Sequence, residues 1–158
     1  MSWLLAGEAD TVRFATWLAP LLAEARPRLV ALRGDLGAGK TTLVRALLHA
    51  LGYPGRVKSP TYTLIEPYQI GDWLICHADF YRLADPGELE YLGFDELLAE
   101  GTTCFVEWPE KAGDYLPPAD LTLWLRHAGA ARELTVSAAT PRGERLREKM
   151  TNHFTKAR

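Results

Sequence analysis

Residues 34–41 read GDLGAGKT, a full match to G-x-x-x-x-G-K-[ST], and the spacing is chemical. Glycines let backbone N–H groups close around phosphate oxygens. The lysine, here Lys40, reaches the β- and γ-phosphates of a nucleotide, and the hydroxyl that follows, Thr41, is placed to coordinate Mg²⁺. Working outward, Arg28 to Arg33 (RLVALR) is short, apolar and β-branched at Val30, which predicts a strand. On the other side, Thr42 to Leu51 (TLVRALLHAL) continues as a helix former, so its unpaired N-terminal amides and positive dipole end would face the same phosphates. The competing reading is a chance match in a flexible loop. Strand, Gly-rich loop and helix in this order are the context that the motif requires and a chance match lacks.

Length and composition set the frame. The chain has 158 residues, of which 47% are hydrophobic, so residues 1–158 are expected to form a single domain with a real core. Net charge is −2, and no overall basic excess argues for nucleic-acid binding by charge alone. The distribution is uneven. Residues 85–114 hold nine acids against Lys111 alone, whereas from Tyr115 onward basic residues outnumber acidic ones. A solvated acidic helix face and a basic tail explain this as readily as a charged docking surface. Cys76 and Cys104 lack the paired spacing of a zinc site or disulfide framework and are expected in the core. No run approaches the length of a membrane span and the N-terminus carries no signal-peptide pattern, which points to a soluble cytoplasmic protein with no membrane partner.

Along the chain, Asp10 or Thr11 is expected to cap a helix bearing Phe14, Leu18, Leu21, Leu22 and Ala25 at helical spacing, with a kink at Pro20. Residues 61–68 (TYTLIEPY) and 73–80 (WLICHADF) read as strands joined across Gly71-Asp72 in a hairpin. Residues from Pro86 to Leu92 and from Asp95 to Glu100 read as short acidic helices, and Thr102 to Trp108 (TTCFVEW) as a buried strand followed by a proline-rich break. A second hairpin is predicted from 121–126 and 132–138 around Gly129, then a helix starting near Pro141.

A phosphate-binding loop needs an acidic partner, because Mg²⁺ is held by few protein oxygens, one supplied by a carboxylate at the end of a neighbouring strand. Two positions qualify. Glu107 ends the most apolar strand and is favoured for the Mg²⁺ shell; Asp79 ends Leu74 to Ala78 and would orient water or help hold the metal. Either could instead be a surface strand end. Between the loop helix and the first hairpin lies Lys58-Ser59-Pro60-Thr61, an extended hydroxyl-bearing segment where NTPases carry a γ-phosphate-sensing switch. Taken alone this signal is weak, since hydroxyl-rich loops are common.

The blocks GDLGAGKTT, KSPTYTLIEPY, HADFYRLADPGELEYLGFDE and VEWPEK, in that order and spacing, closely resemble the bacterial TsaE (YjeE) family, the small ATPase of tRNA threonylcarbamoyladenosine biosynthesis. The resemblance spans almost the whole chain. It implies an α/β, P-loop NTPase-like three-layer fold in which a mixed sheet, a parallel core with antiparallel hairpins, is flanked by helices. It implies ATP and Mg²⁺ as ligands, the nucleotide held by Gly34, Asp35, Leu36, Gly37, Ala38, Gly39, Lys40, Thr41 and Thr42, and the metal by Thr41 and Glu107. Catalytic roles fall to Lys40, Asp79 and Glu107, and the switch reading of Ser59 and Thr61 gains support. Thr11 would lie near the adenine, with Arg132 bordering the base from the other side. Members of the family are understood to work with TsaD and TsaB, which transfer a threonylcarbamoyl group to adenosine 37 of tRNAs reading codons that begin with A. ATP hydrolysis would drive the conformational cycle of that complex, and tRNA would be met only through it.

Rival classes make different demands. A GTPase should carry D-x-x-G and N-K-x-D, whereas this chain has no D-x-x-G and its only asparagine is Asn152, followed by His153. A small-metabolite kinase would use Asp79 as a base toward an acceptor hydroxyl and the Arg142 to Arg147 cluster as a mobile lid. A nucleotide-gated binding module would use ATP only to shape the acidic segment. Arg82, close to Asp79, is conceivable as an arginine finger in cis, but the sequence favours an exposed structural arginine, and a finger from TsaD is equally conceivable.

Overall fold

The computed structural model describes residues 1–99 and 101–157. Seven strands form one sheet: β1 (Ser2–Leu5), β2 (Leu29–Arg33), β3 (Ile65–Ile70), β4 (Trp73–Asp79), β5 (Thr103–Glu107), β6 (Leu121–Ala128) and β7 (Ala131–Ser137). Their spatial order is β1-β7-β6-β2-β5-β4-β3. The four central strands β6, β2, β5 and β4 run parallel, and antiparallel partners close each side, β7 and β1 beyond β6 and β3 beyond β4. Burial follows position: every residue of β5 is buried, as a central parallel strand covered on both faces requires. Pro67 falls in β3, at the sheet edge, where its missing N–H leaves no gap in an inner ladder.

Helices cover both faces. On one, α1 (Glu8–Ala25), α2 (Lys40–Ala50) and α5 (Pro141–Ala157) enclose a core that includes Leu18, Leu22, Val30, Leu43, Leu47, Leu123 and Met150. On the other, the four-residue helices α3 (Glu88–Tyr91) and α4 (Phe94–Leu97) press Leu89 and Phe94 onto Phe80, Cys104 and Val106. Phe80 and Phe94 meet edge to face with ring centroids 5.4 Å apart. This is the expected three-layer α/β arrangement, and no described helix is long and apolar enough to cross a membrane.

Several local expectations need correction. The first helix begins at Glu8 after Gly7, so Asp10 and Thr11 lie inside its first turn and not at its cap. Asp10 still serves the helix start, because its Oδ2 accepts the Ala6 N–H at 2.7 Å. Pro20 lies within the same helix. Residues 61–64 are a turn and not strand: Leu64 donates its N–H to the Pro60 carbonyl at 2.9 Å and takes a left-handed φ of 66°. Strand β1 went unpredicted, and the proline-rich break contains a 3₁₀ segment, Pro109–Tyr115. Glu100, the expected end of the second acidic helix, lies outside the described residues. The two cysteines, 28 positions apart in sequence, are register neighbours on β4 and β5, both thiols free and buried.

Candidate functional site

Strand register builds the site before any side chain is considered. In the parallel core Leu32 pairs with Glu107 and Glu107 with Asp79, so the two carboxylates end adjacent strands at the level where β2 runs into Gly34. This is the carboxyl edge of the sheet, where open α/β folds place ligands. The loop leaves β2 by passing very close to β6. A Cβ on Gly34 would sit 2.5 Å from the Leu125 carbonyl oxygen, and its φ of +154° is one that side chains rarely adopt. Any larger residue there would push the loop off the sheet.

From this frame the side chains converge. Thr41, one residue into α2, has its hydroxyl 2.8 and 2.9 Å from the two Glu107 carboxylate oxygens, and so donates its proton to that group. Lys40 is buried and donates to the Gly34 carbonyl and, at 3.1 Å, to the Asp35 carbonyl. Its ammonium also lies 4.1 Å from the centre of the Trp108 ring. Burial pushes the Lys40 ammonium below the ordinary lysine value, with the carboxylates of Glu107, Glu110, Asp79 and Asp35 pulling the other way. Burial pushes the Asp79 carboxyl above the ordinary aspartate value, opposed first by the Tyr81 N–H that its Oδ1 accepts at 2.9 Å.

Two cavities meet at the loop. The first, of about 440 Å³, is lined by Leu36 to Thr42, Thr61, Asp79, Tyr81, Arg82, Glu107 and Trp108. The second, of about 300 Å³, is lined by Leu5 to Glu8, Thr11, Thr42, Leu43, Leu125, Ala130 and Arg132, and shares the wall Gly37, Ala38 and Gly39 with the first. Thr11 and Arg132 therefore flank one cavity, and Arg132 reaches the loop, donating to the Gly37 carbonyl at 3.3 Å. Thr61 lines the first cavity together with the carboxylates. Ser59 does not line it: Ser59 is exposed and its hydroxyl contacts that of Thr61 at 2.7 Å. Asp35 likewise lines neither cavity and contributes its backbone carbonyl to Lys40.

Hard oxygen donors suited to a small divalent cation gather in the first cavity: the Thr41 hydroxyl and the Glu107 and Asp79 carboxylates. Among the described residues no group of three His, Cys, Asp or Glu side chains is set to hold a metal by itself.

Two participants escaped the sequence reading. His77 is fully buried and its Nε2 lies 2.6 Å from Glu107 Oε2, while Nδ1 has no partner among the described residues; the tautomer with the proton on Nε2 satisfies this geometry. Trp108, in a left-handed conformation with φ 55°, turns the chain directly after Glu107 and lays its ring over Lys40. A histidine two positions before a strand-ending carboxylate is the signal that could have found the first, given the register of β4 against β5.

Comparison with known proteins identifies the family. Residues 5–134 match the family model for the threonylcarbamoyl adenosine biosynthesis protein TsaE. A curated TsaE of Haemophilus influenzae is 40% identical over 148 residues, 92% of this chain and 94% of that protein, and that of Bacillus subtilis is 39% identical over 126 residues, 79% of this chain and 78% of its own. Among solved structures, Bacillus subtilis YdiB superposes with a TM-score of 0.77 at 30% identity, covering 97% of this chain and 95% of the other. The chain belongs to the TsaE family of tRNA threonylcarbamoyladenosine biosynthesis proteins.

Proposed function

We propose that this chain binds ATP with Mg²⁺ and hydrolyses it, and that hydrolysis drives the conformational cycle of a cytoplasmic complex with TsaD and TsaB that modifies adenosine 37 of tRNA. The observation that carries this reading is the convergence of Lys40, Thr41, Glu107 and Asp79 on one cavity that shares the loop backbone with a second. The two volumes suit the triphosphate and the nucleoside of one ligand. Thr11 and Arg132 would then flank the base.

Thr41 and Glu107 would hold Mg²⁺, with Asp79 beside them, and the ion would supply positive charge to offset that of the phosphates. The chain's own groups do the rest. Lys40 would exchange the Gly34 and Asp35 carbonyls for phosphate oxygens, a trade favoured because an anion meets a buried ammonium better than neutral carbonyls do. Asp79, its carboxyl raised by burial, is suited to hold the attacking water by hydrogen bonding. Thr61 faces the same space from the segment after α2 and would sense the γ-phosphate. The small-metabolite kinase alternative is less favoured, since the Arg142 to Arg147 cluster lies on α5, where Arg142 donates to the Arg26 carbonyl at 3.4 Å and Arg147 pairs with Glu144 at 2.8 Å, and does not line the first cavity.

Phosphate release measured for the wild type and Lys40→Ala, alone and with TsaD and TsaB, tests the proposal. The wild type should hydrolyse ATP faster with the partners, and Lys40→Ala should lose both hydrolysis and support of tRNA modification. An unchanged rate at saturating TsaD and TsaB, together with full modification supported by Lys40→Ala, would sink it.

A further inference from the structure

Arg82 stands out among the arginines near the loop, and among the described residues it is the one arginine that lines the first cavity. Arg33 faces Glu110 at 3.7 Å, and Arg132 spends its guanidinium on the Gly37 and Ala131 carbonyls. Arg82 lines the same cavity as Lys40, Thr41, Asp79 and Glu107, is exposed, and among the described residues makes no hydrogen bond or ion pair. Its guanidinium instead lies over the ring of Tyr62, 4.9 Å from the centroid. Tyr62 is itself 85% exposed and adjoins Thr61, which faces the cavity.

The backbone that carries Arg82 is firmly placed. Asp79 Oδ1 caps the Tyr81 N–H at 2.9 Å, the Leu83 N–H donates to the Phe80 carbonyl at 3.0 Å, and the side chains of Phe80 and Leu83 are buried on either side of it. A tight turn anchored at both ends thus projects one permanently charged group to the mouth of a phosphate site, with only an exposed aromatic face to hold it. Stacking of this kind is weak where solvent reaches it, whereas a charge-assisted bond from arginine to phosphate is worth more.

We infer that Arg82 is a catalytic residue of the ATPase, an arginine finger in cis that leaves Tyr62 to pair with the γ-phosphoryl oxygens as charge develops there. The inference rests on the proposed hydrolysis. In that reaction the water oxygen forms a bond to the γ-phosphorus, the bond from that phosphorus to the bridging oxygen breaks, and its electron pair stays on ADP. The protons of the attacking water depart with inorganic phosphate and to solvent. Arg82 keeps its own proton throughout and contributes charge and planar N–H donors. Tyr62 couples this to the switch segment, because a shift of Thr61 toward the nucleotide also moves the ring on which Arg82 rests.

The test compares wild type, Arg82→Ala and Arg82→Lys, alone and with the partner proteins, in two measurements: the single-turnover rate of ATP cleavage, and the affinity for ADP against that for ADP with aluminium fluoride, a mimic of the transferring phosphoryl group. Arginine fingers contribute roughly 10³–10⁵ in rate. Arg82→Ala is expected to slow cleavage at least about 100-fold and to lose the preference for the fluoride complex, while ADP alone binds within about threefold of wild type. Arg82→Lys should recover only a small part, and added guanidinium should partly restore Arg82→Ala. If wild type cleaves ATP and prefers the fluoride complex but Arg82→Ala keeps both properties, the assignment falls and the ATPase reading stands. If wild type shows neither, both fall together.

Discussion

Replacing His77 by leucine removes one hydrogen bond and touches no ligand. His77 and Glu107 are both buried, the imidazole fully, and their 2.6 Å contact is the carboxylate's link to the neighbouring strand. Bonds of this charge-assisted kind contribute about 1.5–3 kcal/mol. At about 1.4 kcal/mol per tenfold, the geometry of Glu107 should loosen enough to weaken Mg²⁺ binding about 10- to 100-fold, in line with the effect of removing partners of metal-ligating groups. The loss belongs near the middle of that interval, because Thr41 still holds both carboxylate oxygens. The measurement is calorimetric titration of a nonhydrolysable ATP analogue across a range of Mg²⁺ concentrations. Affinity without Mg²⁺ should stay within about threefold, and the Mg²⁺ concentration for half-maximal enhancement should rise about 30-fold. His77→Gln, whose amide can still donate toward Glu107, should recover most of this. A shift below threefold in His77→Leu, with circular dichroism confirming an intact fold, would refute the reasoning; equal losses in both variants would assign the effect to packing.

Asp79→Asn should raise thermal stability at neutral pH while lowering hydrolysis. Burial raises the folded-state value of this carboxyl, so charging it costs more in the folded than in the unfolded chain; the penalty is present above that raised value and vanishes below the ordinary aspartate range, so the gain should disappear in melting curves taken in strong acid. Gly143→Ala should destabilise the protein by about 3 kcal/mol, since a Cβ there would collide with the Asp120 carbonyl, and urea unfolding would register it; a change below 1 kcal/mol would mean that α5 shifts freely on the sheet. Arg132→Ala should weaken ADP about tenfold, a loss of about 1.4 kcal/mol, with little effect on inorganic pyrophosphate, because its guanidinium borders the second cavity and not the first; comparable losses for both ligands would overturn that placement.

Much of this architecture was legible because it is written in local pattern. The octapeptide, the strand before it and the helix after it specify a phosphate loop, and Gly71-Asp72 and Gly129 mark hairpins that exist at those positions. What escaped was set by partners distant in sequence. Strand β1, four residues with only Leu5 buried, has too little pattern to announce itself and exists because β7 offers an edge to pair with. The role of His77 depends on the register of β4 against β5, which periodicity cannot supply. Residues 61–64 carry strand-forming side chains, yet Pro60 accepts a turn hydrogen bond from Leu64 and the strand starts only at Ile65. Ser59 and Thr61 looked equivalent as hydroxyls two positions apart, and only one of them faces the cavity.

If the proposed nucleotide and ion bind here, the charges of the site tie one to the other. Lys40 is set among the negative charges of Glu107, Glu110, Asp79 and Asp35, while the Asp79 carboxyl is raised both by burial and by its neighbour Glu107. A divalent cation entering alone would relieve the carboxylates but repel Lys40. A triphosphate entering alone would satisfy Lys40 and the loop amides but crowd its negative charge against Glu107 and Asp79. Entering together, the two ligands cancel each other's unfavourable half, so their binding should be mutually strengthened by linkage. The sheet would enforce this coupling, since the register that aligns Asp79, Glu107 and Leu32 sets the carboxylates and the root of the loop in one row.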